Sequence, residues 1–175
     1  MAEKITELIS EEKIDNRIRE IGAKLSEKFQ GEDVVLVGIL RGGAFFACEL
    51  AKRIDIPVVM DFMCTSSYGN GTVSKGNVNI VKDLDENIEG KNVIIAEDII
   101  DSGNTLKALK EILTDRNPKS LTLCTLLDKP SRREVQVDVN YVGFEINDYF
   151  VVGYGLDYAQ KYRNLPYIGI VEFEN

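Results

Sequence analysis

The side chains of this sequence that could do chemistry together are gathered in one stretch, Glu97-Asp98-Ile99-Ile100-Asp101-Ser102-Gly103-Asn104-Thr105. An uninterrupted apolar run from Val93 to Ala96 leads into it, and Leu106, Leu109, Ile112 and Leu113 follow at helical spacing. Such a run is the pattern of a strand buried on both faces, so the stretch is expected to be strand, turn and helix. A helix start leaves backbone N–H groups without partners, and its dipole adds about half a positive charge there. Ser102, Gly103, Asn104 and Thr105 therefore form a candidate anion site, with Gly103 allowing close approach to a ligand. Glu97 and Asp98 would repel a bare phosphate, but they suit the hydroxyls of a sugar phosphate with Mg²⁺ beside it. Taken singly, Asp101 or Ser102 is also explained as a helix N-cap, and the two acids as solvated groups at a strand end. Their concurrence on one strand-turn-helix favours a sugar-phosphate site.

The rest of the composition narrows the chemistry. There is no histidine, which removes the Ser-His-Asp triad, paired-His zinc sites and any imidazole base. Proton transfer must then use carboxylate, Lys or Tyr. The three cysteines, Cys48, Cys64 and Cys124, are scattered through apolar stretches without a CxxC pair, and are expected to be buried free thiols. A net charge of −8 argues against a nucleic-acid-binding face. The charged N-terminus and the lack of any apolar run of spanning length lead to the expectation of a soluble, cytoplasmic protein without a membrane partner. At 175 residues the chain is expected to form a single domain, 1–175.

The elements that must position these groups can be read in order. Ile14, Ile18, Ile21, Leu25 and Phe29 make one helical stripe, with Gly31 as the expected C-cap. Val34 to Leu40 is a buried strand ended by Arg41-Gly42-Gly43, and Ala44 to Arg53 a helix. Ile56 to Met63 is a further strand, with Pro57 near its start. Thr65 to Asn79 is polar and glycine-rich, as expected of a mobile surface loop or exposed hairpin, with Val78, Ile80 and Val81 returning as a strand. Leu121 to Leu127 is another buried strand, followed by Asp128-Lys129-Pro130. Short strands are expected at 141–146, 150–154 and 167–173. Alternating strands and helices predict an α/β fold around a mostly parallel sheet flanked by helices. In such a sheet ligands sit beyond the carboxyl ends of the strands. Those ends carry Arg41-Gly42-Gly43, the Glu97 to Thr105 stretch, Lys129, and the Phe150 to Asp157 region.

This set resembles the type I phosphoribosyltransferases, and within them the bacterial-type hypoxanthine-guanine branch. The resemblance runs from about Val34 to the C-terminus. It is carried by Leu40-Arg41-Gly42-Gly43, Ser66-Ser67-Tyr68-Gly69, Glu97 to Thr105, Leu126-Leu127-Asp128-Lys129, Gly143-Phe144-Glu145-Ile146 and Phe150-Val151-Val152-Gly153-Tyr154-Gly155-Leu156-Asp157-Tyr158. It implies the type I fold with a mobile loop and a small hood region. The implied activity is transfer of ribose 5-phosphate from phosphoribosyl pyrophosphate (PRPP) to hypoxanthine or guanine, with xanthine as a further candidate, and with Mg²⁺ as cofactor.

The family pattern also implies roles. Glu97 and Asp98 face the ribose hydroxyls and their Mg²⁺, and Asp157 holds a second Mg²⁺. Ser102, Gly103, Asn104 and Thr105 cradle the 5′-phosphate, beside Asp101 as the catalytic base. Leu40 and Arg41 are joined by a non-proline cis peptide whose backbone, with that of Gly42, faces pyrophosphate, as does Arg163. Lys129 donates to the purine O6, Phe150 stacks on the ring and the Val151 backbone reads its edge. Ser67 and Tyr68 close as a lid. Two departures stand out: Arg41 occupies a position where many relatives carry Lys, and the loop from Gly71 to Gly76 matches only loosely. Relatives form dimers and tetramers, so a homodimer or homotetramer is expected. Three rival readings are a sister transferase for xanthine, adenine or a pyrimidine, a PRPP-sensing regulator that binds RNA or DNA, and a receiver-type signalling domain. The pairing of Lys129 with the Phe150 to Asp157 region favours a 6-oxopurine. The acidic balance disfavours the regulator, and a receiver has no use for the Asp-Ser-Gly-Asn-Thr turn.

Overall fold

The computed structural model describes residues 3–67 and 78–173. Its centre is a six-stranded sheet in the order β4-β3-β2-β5-β6-β7, built from β2 (Val34–Leu40), β3 (Val59–Ser67), β4 (Val78–Lys82), β5 (Asn92–Ile100), β6 (Ser120–Asp128) and β7 (Tyr141–Glu145). All neighbours are parallel except β3 and β4, which form an antiparallel edge pair. Alternate residues of β2 and β5 enter two separate cores. Val34, Leu36, Ile94 and Ala96 face one, with Phe46 and Leu50 of α2 (Gly43–Ala51) and Ile14, Ile18 and Leu25 of α1 (Glu11–Lys28). Val35, Val37, Val93 and Ile95 face the other, with Leu106, Leu109 and Leu113 of α3 (Asn104–Thr114). A strand covered on both faces has no polar side to show, and this explains the continuous apolar runs.

The expected elements are present with shifted ends. α1 starts after Ser10, whose hydroxyl accepts from the Lys13 N–H at 3.4 Å. Its C-cap is Phe29 rather than Gly31, which lies further along in the turn at φ 78°. β3 begins at Val59, beyond Pro57, because a ladder needs the N–H that proline lacks. Of the three cysteines only Cys124 is fully buried, which pushes its thiol up to about 12. Cys48 is exposed and Cys64 half-buried, so the expectation of three buried thiols is corrected. Among the described residues no helix is long and apolar enough to cross a membrane.

One element has no counterpart in the sequence reading. β1 (Glu3–Ile9) pairs antiparallel with β9 (Ile168–Phe173), which pairs in turn with β8 (Val151–Val152). This second, three-stranded sheet is the hood, and it joins the two ends of the chain.

Between β2 and β5 the main sheet changes direction. β2 leads by way of α2 to β3 on one side, and β5 leads by way of α3 to β6 on the other. The loops after β2 and β5 therefore diverge and leave a crevice, the usual ligand position in an open α/β sheet.

Candidate active site

Glu97, Ile99, Ile100, Asp101, Ser102, Gly103, Thr105 and Leu106 line one cavity of about 220 Å³ at the end of β5. The turn that makes it depends on Gly103, which sits at φ 86° as the N-cap of α3 and makes no side-chain cap. Asp101 is therefore not the helix cap, and its half-exposed carboxylate instead lies beside the Lys129 ammonium. Ser102 Oγ accepts from the Asn104 N–H at 3.3 Å and from Asn104 Nδ2 at 3.2 Å. Gly103 offers the first turn of α3 no side-chain acceptor, and Gly103 and Thr105 line the cavity, where an anion site at a helix start would lie.

Glu97 and Asp98 are half-buried and adjacent. Burial, followed by the charge of Asp98, pushes the Glu97 carboxyl well up, and burial also raises Asp98. Both groups hold their protons more tightly than free carboxylates do, and a cation would reverse that. A side chain at Gly42 would overlap the Asp98 carboxylate, so the turn after β2 presses directly on the acids. Leu40 and Arg41 are joined by a cis peptide there, as the resemblance implied. Gly155, at φ 98°, stacks on this turn so closely that a Cβ would strike the Gly42 carbonyl. The hood is thereby seated on the crevice.

Two guanidinium groups meet where the hood touches the turn. Arg163 pairs with Asp157 at 2.8 Å and donates to the Gly155 carbonyl at 2.7 Å. Arg41 Nη1 and Arg163 Nη2 both donate to Gln160 Oε1, at 3.0 and 3.1 Å. Asp157, the expected second metal ligand, is thus engaged by Arg163 and by the Gln160 N–H at 2.9 Å.

At the end of β6, Lys129 is only 7% exposed, unusual for a lysine, and its ammonium lies 3.7 Å from Asp101 and 3.8 Å from Asp148. Phe150 is 51% exposed and meets Tyr158 edge-on, with ring centroids 5.6 Å apart. Val151 lies on β8, the edge strand of the hood, so one side of its backbone is free of the sheet. Tyr68 and the side chain of Ser67, expected to form a lid, lie outside the described residues, as does the loop through Asn77.

Several participants carry no local signal in the sequence. Asp148 shares Lys129 with Asp101. The segment after Lys129 straps the turn from Ser102 to Thr105: the Glu134 and Val135 N–H groups donate to the Ser102 carbonyl at 2.9 and 3.2 Å, and Asn104 Nδ2 donates to Glu134 at 2.8 Å. Arg133 donates to the Asp101 carbonyl at 3.2 Å and pairs with Asp128 at the end of β6. The residues just before a strand-end Lys could have suggested Asp128. The strap itself is visible only in three dimensions.

A larger cavity, about 880 Å³, lies on the outer side of α2 among Phe45, Cys48, Arg53 and Tyr154, and holds none of the turn residues. The metal question rests on the donor set. Among the described residues no three acids converge tightly enough to hold an ion alone. Two adjacent carboxylates, Glu97 lining the cavity and Asp98 against the turn after β2, do fit Mg²⁺, which is commonly bound by one or two carboxylates together with substrate phosphates.

Comparison with known proteins agrees with this geometry. The model of the phosphoribosyl transferase domain matches residues 5–159. A hypoxanthine phosphoribosyltransferase of Salmonella typhimurium is 56% identical over 166 residues, covering 94% of this chain and 93% of its own. The crystal structure of a hypoxanthine phosphoribosyltransferase from Staphylococcus aureus superposes with a TM-score of 0.92 at 50% identity, covering 97% of this chain and 94% of its own. A hypoxanthine-guanine phosphoribosyltransferase from Bacillus anthracis also gives 0.92, at 46% identity, covering 98% of this chain and all of its own. Cis turn, acid pair, helix-start turn and hood thus meet in a chain that belongs to the phosphoribosyltransferase family, in its bacterial hypoxanthine-guanine branch.

Proposed function

We propose that this protein transfers the 5-phosphoribosyl group of PRPP to N9 of hypoxanthine or guanine, forming IMP or GMP and releasing pyrophosphate. The observation that carries the reading is the crevice between β2 and β5. There a phosphate turn, an acid pair and a guanidinium cluster converge within reach of a buried lysine.

Ribosyl transfer proceeds through a cation-like sugar, with negative charge leaving on pyrophosphate. The protein must hold both substrates in line, neutralise the departing charge and keep water away. N–H groups of Ser102 to Thr105 would hold the 5′-phosphate. Glu97 and Asp98 would accept from the ribose hydroxyls and hold Mg²⁺, with Asp157 as a ligand for a second ion. Bound Mg²⁺ would offset phosphate charge in the departing group. The Leu40-Arg41-Gly42 backbone and Arg163 would face pyrophosphate. Lys129, flanked by Asp101 and Asp148, presents N–H donors, which suits O6 of a 6-oxopurine and disfavours the 6-amino group of adenine. Phe150 would supply the stacking face, and the free edge of Val151 would read the base. Asp101, the carboxylate nearest Lys129 in the phosphate turn, would take the purine proton. Large apolar side chains left exposed, among them Phe45, Val59 and Met60, support assembly as a homodimer or homotetramer.

Asp101→Asn tests the assignment. The variant is expected to lower kcat by about 10²–10⁴, the usual loss for an acid–base group, with PRPP affinity little changed. Near-normal turnover by this variant would remove Asp101 from the chemistry.

A further inference from the structure

The hairpin Tyr158-Ala159-Gln160-Lys161 is the strained part of the hood. Tyr158 and Lys161 exchange both backbone hydrogen bonds, at 3.1 and 2.9 Å, leaving a two-residue loop. Both loop residues are left-handed, Ala159 at φ 50° and Gln160 at φ 66°, and Tyr162 follows at φ 77°. Positive φ at both positions is the signature of a type I′ turn, which is normally filled by Asn-Gly because a Cβ is unfavourable there. Nothing in the turn itself favours glutamine over glycine. Backbone held in such a conformation is a recognised mark of function.

The side chain supplies the reason. Gln160 Oε1 accepts from Arg41 at 3.0 Å and from Arg163 at 3.1 Å, so the two donor nitrogens lie within about 6 Å of each other. Two guanidinium groups this close repel, and a shared acceptor is needed to keep them together. An amide oxygen does this without adding a second anion beside Asp157, whereas a carboxylate would pair with both guanidinium groups and compete with an incoming anion. The far side of the cluster is fixed as well. Asp157 accepts from both the Gln160 N–H and Arg163, and Gly155 accepts from Arg163. Arg41 comes from the turn after β2 and Arg163 from the hood, so Gln160 bridges the two sides of the crevice.

We propose that Gln160 is a positioning residue that sets Arg41 and Arg163 side by side as a two-pronged clamp for a pyrophosphate group. The clamp gives the Arg41 side chain a part beyond its backbone, and it rests on the function proposed above. Arginine suits it because each planar fork can present paired donors to phosphate oxygens.

The test is calorimetric titration of the full chain with magnesium pyrophosphate, alongside PRPP and hypoxanthine kinetics, for wild type, Gln160→Gly and Gln160→Glu. Gln160→Gly removes the bridge while relieving the backbone. It is expected to melt at a higher temperature yet bind pyrophosphate about 5–20-fold more weakly. The KM for PRPP should rise by a similar factor while that for hypoxanthine holds. Gln160→Glu should weaken pyrophosphate binding further, because it places an anion inside the clamp. Equal pyrophosphate affinity in wild type and Gln160→Gly, or none in wild type, overturns the proposal. Failure of the underlying function would show differently: wild type would bind pyrophosphate but form no nucleotide.

Discussion

Glu97 and Asp98 are costly to place together. Each is partly withdrawn from water, and burial raises both carboxyls, with the charge of Asp98 raising Glu97 further. The folded-state pKa of Glu97 lies above its ordinary value of 4.5, so the folded chain binds this proton more tightly than the unfolded one. The associated stability is full below pH 4.5 and is lost as pH rises through the raised value. With chelator present, Glu97→Gln is therefore expected to melt higher than wild type near neutrality. The gain should be roughly 2–4 °C per kcal/mol of repulsion removed, and should shrink towards pH 4.5. Thermal melts of both proteins across that range check it, and parallel curves would show that Glu97 is not under strain. Seven chemically suggestive residues in nine positions made this part of the site legible from the sequence, because strand-turn-helix geometry is local. Gln160 was not legible, since its partner Arg41 lies 119 residues away and only tertiary folding brings them together.

The turn from Ser102 to Thr105 needs both its own backbone and its strap. Gly103 lies at φ 86°, and a Cβ there would come within 3.0 Å of the Val135 carbonyl and 3.1 Å of Arg133 Cδ. Gly103→Ala is thus expected to destabilise the fold by about 1–2 kcal/mol, from the left-handed backbone alone. It should also raise the KM for PRPP, because the turn and the strap must move apart. Denaturant unfolding and PRPP kinetics on this variant test both effects, and a wild-type profile in each would show that the strap does not constrain the turn. The sequence revealed β2, β5, β6 and α3 because burial imposes unbroken apolar runs and a helical stripe. It concealed β1, where the exposed Lys4, Thr6 and Glu7 are those of a half-covered strand, with only Ile9 fully buried. It also concealed the strap around 133–135, which has little apolar periodicity and is held by hydrogen bonds to the Ser102 carbonyl.

Across the whole molecule, the reversal of strand order between β2 and β5 opens the crevice, and the hood closes over it. The chain ends pair as β1 and β9, and Tyr162 of the hood donates to Glu3 of β1, so the cover is tied to the N-terminus. The cover matters because a cation-like sugar must not meet water. Strand order could be anticipated only as far as alternation of elements allows. The parallel core followed from that alternation, whereas the hood depends on pairing across nearly the full chain length. The crevice is expected to join ribose 5-phosphate to a 6-oxopurine. Incubating the protein with PRPP, Mg²⁺ and hypoxanthine, guanine or adenine, with and without excess chelator, and measuring nucleotide formed tests it most directly. IMP and GMP are expected in the presence of Mg²⁺, with little product from adenine and none under chelation. Equal use of adenine, full turnover in excess chelator, or no nucleotide from any base would contradict it.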